Sequence, residues 1–566
     1  MCRTIAVLSV MLASVALCVG CGDAKREDAM TDHESKSVAK DRDKDMDQGW
    51  SKYASKTGSA NSRLMSVDNS SSMPRAFAAV PMPSAGQGQG PGQAGDRYAT
   101  INDNPFLTTS KHPLSTFSID VDTASYANTR RFLMESDMIP PAGSVRIEEL
   151  VNYFTYDYPQ PKADVPFSAH LEVAGCPWSA KHRLVRVGLR GKQIDRGQRP
   201  PSNLVFLLDV SGSMQSPDKL PLLVQGMMLL VDNLAATDRV AIVVYAQNTG
   251  LVLPSTPGDE KGAIRSALSQ LRAGGSTAGG DGIRLAYRVA KENLIKGGVN
   301  RVLLCTDGDF NVGTSNTAEL VELVEKQAKG GVQLSVLGFG RGNLNDAMME
   351  EISNKGDGNY SYIDSFSEAR KVLGEQMSGT LVTIAKDVKI QIEFNPARVA
   401  GYRLIGYENR RLADEDFNDD TKDAGEIGAG HTVTALYEIV PAGQQVSAGS
   451  VDKLKYQSEG KLTGAADSDE LLTLKIRYKD PDAPQSKLLE FTAQDDGKAF
   501  AKASRDFQFA SAVASFGMLL RNSPHKGDAT YDAVLEIAGS AVGQAEHKYR
   551  AEFLQMVRRA KRISTK

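Results

Sequence analysis

Around position 209 the chain reads Leu204-Val-Phe-Leu-Leu-Asp209-Val-Ser211-Gly-Ser213-Met214. An apolar run ends in a carboxylate and two hydroxyls, with one residue between each. One carboxylate and two neutral hydroxyl oxygens suit a hard divalent cation such as Mg²⁺ or Mn²⁺, which takes an octahedral oxygen shell and keeps some water. Val205 to Leu208 read as a strand covered on both faces, so the polar triplet falls on the loop at its carboxyl end. Open α/β sheets bind their ligands at that end. An aspartate and serines after a strand also have a plainer use, capping the next helix. The elements around them decide between the two.

Those elements repeat. The strand, triplet and following helix are succeeded by an apolar run at Arg239-Val-Ala-Ile-Val-Val-Tyr245 and then by Gly274-Gly-Ser-Thr277-Ala-Gly-Gly-Asp281-Gly282. That loop leads into a helical pattern at Ile283, Ala286, Tyr287, Val289 and Ala290, and a further apolar run, Arg301-Val-Leu-Leu-Cys-Thr306, ends in Asp307-Gly308. Repeated βα units predict an α/β fold with a doubly wound, mostly parallel sheet. Asp209-x-Ser211-x-Ser213 resembles the metal-ion-dependent adhesion site of a von Willebrand factor type A domain. The resemblance implies a domain over 202–375 in which Thr277 and Asp307, from two later loops, complete the site. Asp209, Ser211, Ser213 and Thr277 would hold Mg²⁺ or Mn²⁺ directly or through water, with Asp307 anchoring the shell through water or hydroxyl contacts. A carboxylate of a partner protein would take the vacant coordination position.

Composition narrows the function classes. With 566 residues the chain exceeds one core and predicts several domains. Its 66 basic against 69 acidic residues leave it nearly neutral, which gives no ground for nucleic-acid binding. Gly338-Phe-Gly340-Arg-Gly342 follows a strand but lacks dinucleotide spacing, and the loop at Thr277 lacks the Gly-Lys pair of a P-loop, so no nucleotide is expected. Asp414-x-Asp416-x-Asn418 begins like a calcium loop, yet Asp419 stands where the turn needs glycine. It reads as an acidic loop. No hydrolytic motif occurs, and beside the triplet only Asp281 and Asp309 could serve a metal-assisted hydrolase as general base.

The amino terminus reads as an address. Arg3 precedes an apolar stretch from Ile5 to Val19, of signal-peptide length, and Leu17-Cys18-Val19-Gly20-Cys21 resembles a bacterial lipoprotein processing site. That resemblance implies a signal peptide over 1–20, acylation of Cys21, and a cell-envelope location, with the outer membrane favoured if the organism has one. An ordinary secretory signal is the alternative. Residues 21–103 are polar and rich in serine, glycine, glutamine and proline, which predicts a disordered tether spanning about 50 Å. Beyond the anchor only Cys176 and Cys305 remain, read as free thiols with a disulfide as the alternative.

The flanks extend the resemblance. Ser115 to Phe154, with Arg146-Ile-Glu-Glu-Leu-Val-Asn-Tyr-Phe154, is similar to the amino-terminal module of a group of bacterial von Willebrand A lipoproteins, here spanning 104–201. In it Asp120 is expected to close a strand, and Asp122 or Thr123 to cap a helix. Gly401-Tyr-Arg-Leu-Ile-Gly-Tyr-Glu-Asn409, Gly428-Ala-Gly-His431 and Tyr549-Arg-Ala-Glu-Phe-Leu554 are similar to the carboxyl-terminal extension of the same group. Runs at 388–394, 433–440, 471–478 and 488–491 predict a β-rich, sandwich-like region over 376–500, joined by the strands before 202 if the type A domain is an insertion. A helical region closes the chain over 501–566. Three functional readings stay open: a metal-dependent binding protein, a metal-assisted envelope hydrolase, and an envelope scaffold whose site is vestigial.

Overall fold

The computed structural model describes residues 95–566, except 120–121, 163–164, 277–278, 309–316, 377–378, 380, 448–461, 482, 543–546 and 566. The expected signal peptide, Cys21 and most of the tether lie outside the described residues. The described residues form sixteen strands in three sheets and eleven α-helices.

The first strands are β1 (Leu107–Thr108), β2 (Leu114–Ser118), β3 (Phe167–Cys176) and β4 (Ser179–Gly191), with helices α1 (Ala124–Met134) and α2 (Ile147–Asn152) between β2 and β3. The central domain follows, with β5 (Ser202–Asp209), β6 (Arg239–Tyr245), β7 (Thr249–Pro257), β8 (Val299–Thr306), β9 (Gln333–Phe339) and β10 (Tyr360–Ile363). Its helices are α3 (Leu220–Asp232), α4 (Lys261–Ser269), α5 (Gly279–Glu292), α6 (Thr317–Lys329), α7 (Asp346–Lys355) and α8 (Phe366–Arg370). Its sheet runs β10-β9-β8-β5-β6-β7, parallel throughout except for β7. Strand order therefore reverses between β5 and β8, where the two connections leave in opposite directions and open a crevice at the carboxyl ends. Every residue of β5 is buried, as its unbroken Leu-Val-Phe-Leu-Leu run requires. Phe206 and Leu208 face one helical layer, while Val205 and Leu207 face the other.

The remaining strands are β11 (Thr383–Phe394), β12 (Val399–Ile405), β13 (Ile427–Gly428), β14 (Thr432–Pro441), β15 (Glu470–Lys479) and β16 (Ser486–Gln494). They do not form a separate layer from the early strands. One sheet runs β1-β12-β14-β4-β3, and the other β13-β11-β15-β16 with β2 also paired to β11. Leu436 lies opposite Arg186 across the β14·β4 ladder, so strands before and after the central domain pair directly. The two sheets pack face to face through Phe394, stacked on Tyr402 at 4.2 Å, and through Phe167 edge-on to Tyr478 at 4.9 Å. The first sheet is covered on its other face as well. Leu184, Ile405 and Leu436 meet α2 and the closing helices α9 (Arg505–Leu520), α10 (Tyr531–Ser540) and α11 (His547–Ser564) in a second core.

Two expectations are corrected. Residues 95–103, assigned to the tether, are packed: Asp96 accepts from the backbone N–H groups of Gly342 (2.9 Å) and Leu344 (3.3 Å) and pairs with Arg131, and Asp103 pairs with Arg521. Composition fails there because buried partners supplied from elsewhere order a polar segment. Thr123 stands at the N-cap position of α1, but its side chain makes no capping hydrogen bond. Asp122 accepts from the backbone N–H of Tyr360 at 2.8 Å and pairs with Arg410, fastening the early module to β10. The helical region expected at the end of the chain is present, and its α9 is buried along almost its whole length. Cys176 and Cys305 are both free and buried. Among the described residues no helix is long and apolar enough to cross a membrane.

Candidate metal centre

Strand β5 ends at the crevice and delivers Asp209, fully buried, onto a tight loop. One Asp209 oxygen accepts from the backbone N–H of Ser211 at 2.9 Å, and the other from the Thr306 hydroxyl at 3.3 Å. The loop then turns Ser211 and Ser213 side by side, their Oγ atoms 3.0 Å apart. Ser211 is buried and Ser213 exposed, so the pair opens toward solvent on one side. Strand β8, hydrogen-bonded to β5, brings in Thr306 and Asp307, both fully buried. The third loop is held to the first by backbone bonds, Gly212 N–H to Gly275 O at 2.9 Å and Gly274 N–H to Val210 O at 2.8 Å. Gly275 has φ of +81°, a conformation glycine adopts without strain. Thr277 and Asp309 lie outside the described residues. Asp281 sits exposed in the first turn of α5.

The two carboxylates have opposite electrostatics. Burial pushes Asp209 up to about 6, against the lowering effect of its Ser211 and Tyr245 hydrogen bonds. Burial also acts on Asp307, but hydrogen bonds from Lys219, Asn343 and Ser213, with the Lys219 charge, outweigh it and hold the carboxyl below its usual value. The Lys219 ammonium lies 2.8 Å from Asp307 Oδ2, with the lysine side chain 9% exposed. Asn343 offers the same ammonium its carbonyl oxygen at 3.4 Å. Asp209, Ser211, Ser213 and Asp307 thus converge at the switch point as an all-oxygen set, a donor chemistry that fits Mg²⁺ or Mn²⁺.

Sequence reasoning missed Lys219, Asn343, Thr306 and Tyr245. The glycine run Gly338-Phe-Gly340-Arg-Gly342 carried a signal for the first. Gly340 has φ of +72°, and a Cβ there would collide with the Lys219 methylenes, so the run roofs the lysine. A second acidic group was also missed: Asp357, Asp423 and Glu426 bring carboxylate oxygens within 4.8 Å of one another. It lies at the other end of the sheet, beside the first residues of β9. Burial pushes all three carboxyls up.

The von Willebrand factor type A domain family matches residues 203–375, and a von Willebrand factor family matches 92–186. The family described as the C-terminal region of uncharacterized protein YfbK matches 379–563. Uncharacterized protein YfbK of Escherichia coli (strain K12) is 45% identical over 475 residues, covering 82% of this chain and 81% of that protein. The chain belongs to the YfbK family. The inter-alpha-trypsin inhibitor heavy chain H4 of Homo sapiens is also similar, 29% identical over 148 residues, covering 25% of this chain and 16% of that protein. Among solved structures, a von Willebrand factor type A protein from Catenulispora acidiphila aligns with a TM-score of 0.40 at 14% identity, covering 70% of this chain and 91% of that one. This YfbK-family chain is therefore a bacterial-type von Willebrand A protein with an α/β central domain between β-rich and helical flanks. Its type A domain points to protein–protein interaction or adhesion, and such domains often hold a metal at this loop cluster.

Proposed function

We propose that this YfbK-family chain is a lipid-anchored cell-envelope binding protein whose type A domain presents Mg²⁺ or Mn²⁺ to an acidic group of a partner protein. The observation that carries the reading is the convergence of the Asp209, Ser211, Ser213 and Asp307 oxygens at the crevice between β5 and β8, with the two serine hydroxyls 3.0 Å apart. Asp209, Ser211, Ser213 and Thr277 would hold the ion, and Asp307 would steady the shell through the Ser213 hydroxyl. Two of the three triplet donors are neutral, which leaves a bound divalent ion electrophilic and makes a carboxylate its natural external ligand. Acylation of Cys21, inferred from the processing-site resemblance, would hold the protein on a membrane outside the cytoplasm.

Thermal melting with and without the ion tests the site. An ion that binds only the folded chain stabilises it by about 2.7 kcal/mol at a hundredfold excess over its Kd. Mg²⁺ or Mn²⁺ should raise the Tm of the wild type and leave Asp209→Ala unmoved, and EDTA should release a protein captured from envelope extract by the wild type alone. No shift in the wild type would overturn the reading. A scaffold with a vestigial site is the second reading. It is favoured by the Lys219–Asp307 pair, which places a cationic group on one of the site's oxygens.

A further inference from the structure

We propose that Lys219 is a built-in counter-cation that sets how strongly the type A site takes a divalent ion, an inference that rests on the reading of that site as a metal centre. Its ammonium touches Asp307 at 2.8 Å and is shared with the Asn343 side chain. Asp307 is fully buried, and an ammonium so enclosed is present because the surroundings provide for it. That provision is visible in three places. Lys219 stands at the start of α3 and is held there through the backbone bond Leu223 N–H to Lys219 O, so its Cα cannot drift. Its methylenes run under Gly340, where any side chain would collide with them. The glycine-rich loop that follows β9 supplies both the slot and Asn343.

The charge balance gives the lysine its consequence. Asp209 and Asp307 contribute two negative charges and Lys219 one positive charge. Without a metal, the lysine offsets the repulsion between two carboxylates set in a low-dielectric crevice. With a divalent ion bound, the same lysine leaves the site one positive charge in excess and repels the ion. It therefore keeps the metal-free domain folded, weakens the hold on the ion, and sharpens the preference for an anionic external ligand. Lys219 acts through Asp307 and is a positioning residue.

Lys219→Met keeps the length of the side chain and removes its charge, and Lys219→Arg keeps the charge. Mg²⁺ alone is titrated into the full chain by calorimetry, with Tm measured in the presence of EDTA and of Mg²⁺. Lys219→Met should bind Mg²⁺ at least tenfold tighter than wild type, and its Tm should fall in EDTA and recover with Mg²⁺. Lys219→Arg should bind Mg²⁺ no more tightly than wild type. Wild-type binding that Lys219→Met leaves equal or weakened would overturn the lysine's role while leaving the metal centre standing. Binding by Lys219→Met alone would support the lysine's role and overturn the resident-metal reading in favour of the scaffold. Binding by neither would overturn both. A methionine variant that folds only with Mg²⁺ counts for the proposal, and one unfolded in both conditions counts against it.

Discussion

Asp357 shows at the level of one side chain how the fold holds acids at a cost. It follows α7 with φ of +48°, in the left-handed region that asparagine and aspartate tolerate best among non-glycine residues. Burial pushes its carboxyl from 3.8 to about 6, with Asp423 and Asp387 adding to the rise. The folded state therefore prefers the proton, so this group's contribution is full below about pH 4 and is lost as pH rises through about 6. Asp357→Asn should leave stability unchanged near pH 4 and add about 2 kcal/mol at pH 7.5, read from urea midpoints at the two pH values. Loss of stability at pH 7.5 would show that the carboxylate is used. Neither Asp357 nor Lys219 was legible in the sequence, because each acquires its neighbours across the fold: Lys219 meets Asp307 from 88 positions away. Asp209, Ser211 and Ser213 were legible because all three belong to one strand end, where spacing alone fixes which side chains meet.

Among the elements, α1 shows how a short helix can bind several parts of the chain. Its Arg130 donates to Asp364 at 2.7 Å, to Glu368 of α8 at 2.7 Å and to Glu552 of α11 at 2.8 Å. Asp364 and Glu368 are almost completely enclosed. Truncating the arginine leaves both carboxylates buried with their main countercharge gone, a change that costs about 3–5 kcal/mol. Arg130→Ala should lower the denaturation midpoint accordingly, whereas a loss below about 1 kcal/mol would mean that water or a neighbour replaces the guanidinium. Strands with uninterrupted or alternating apolar residues were legible, as at 388–394 and 471–478, which lie within β11 and β15. Strand β7 was not. It carries Pro254 and exposes Leu251 and Val252, as an edge strand can and an interior strand cannot. Helix α9 was read from one apolar face, that of Phe507, Ala510, Val513, Ala514 and Gly517, but Phe509, Ala512 and Phe516 are buried as well.

For the whole molecule, the central domain and its surroundings solve separate packing problems. The parallel sheet could be inferred from local repeats, since each βα unit is continuous in sequence. The sandwich could be suspected but not registered, because β4 and β14 pair although the whole central domain lies between them in sequence. The closing helices then cover the outer face of the first sheet. A chain ending at residue 504 should therefore bind a hydrophobic dye and lose its cooperative melt, and a sharp melt within a few degrees of the full chain would refute that dependence. The packed segment at Asp96 has a mechanical consequence. A pull on the chain ahead of Gly95 is delivered first to the Asp96 carboxylate, and through it to the backbone at Gly342 and Leu344. Those hydrogen bonds sit on the loop that carries Asn343, a partner of the Lys219 ammonium. Tension applied ahead of Gly95 would thus arrive at the rim of the candidate metal centre before it reached either sheet of the sandwich.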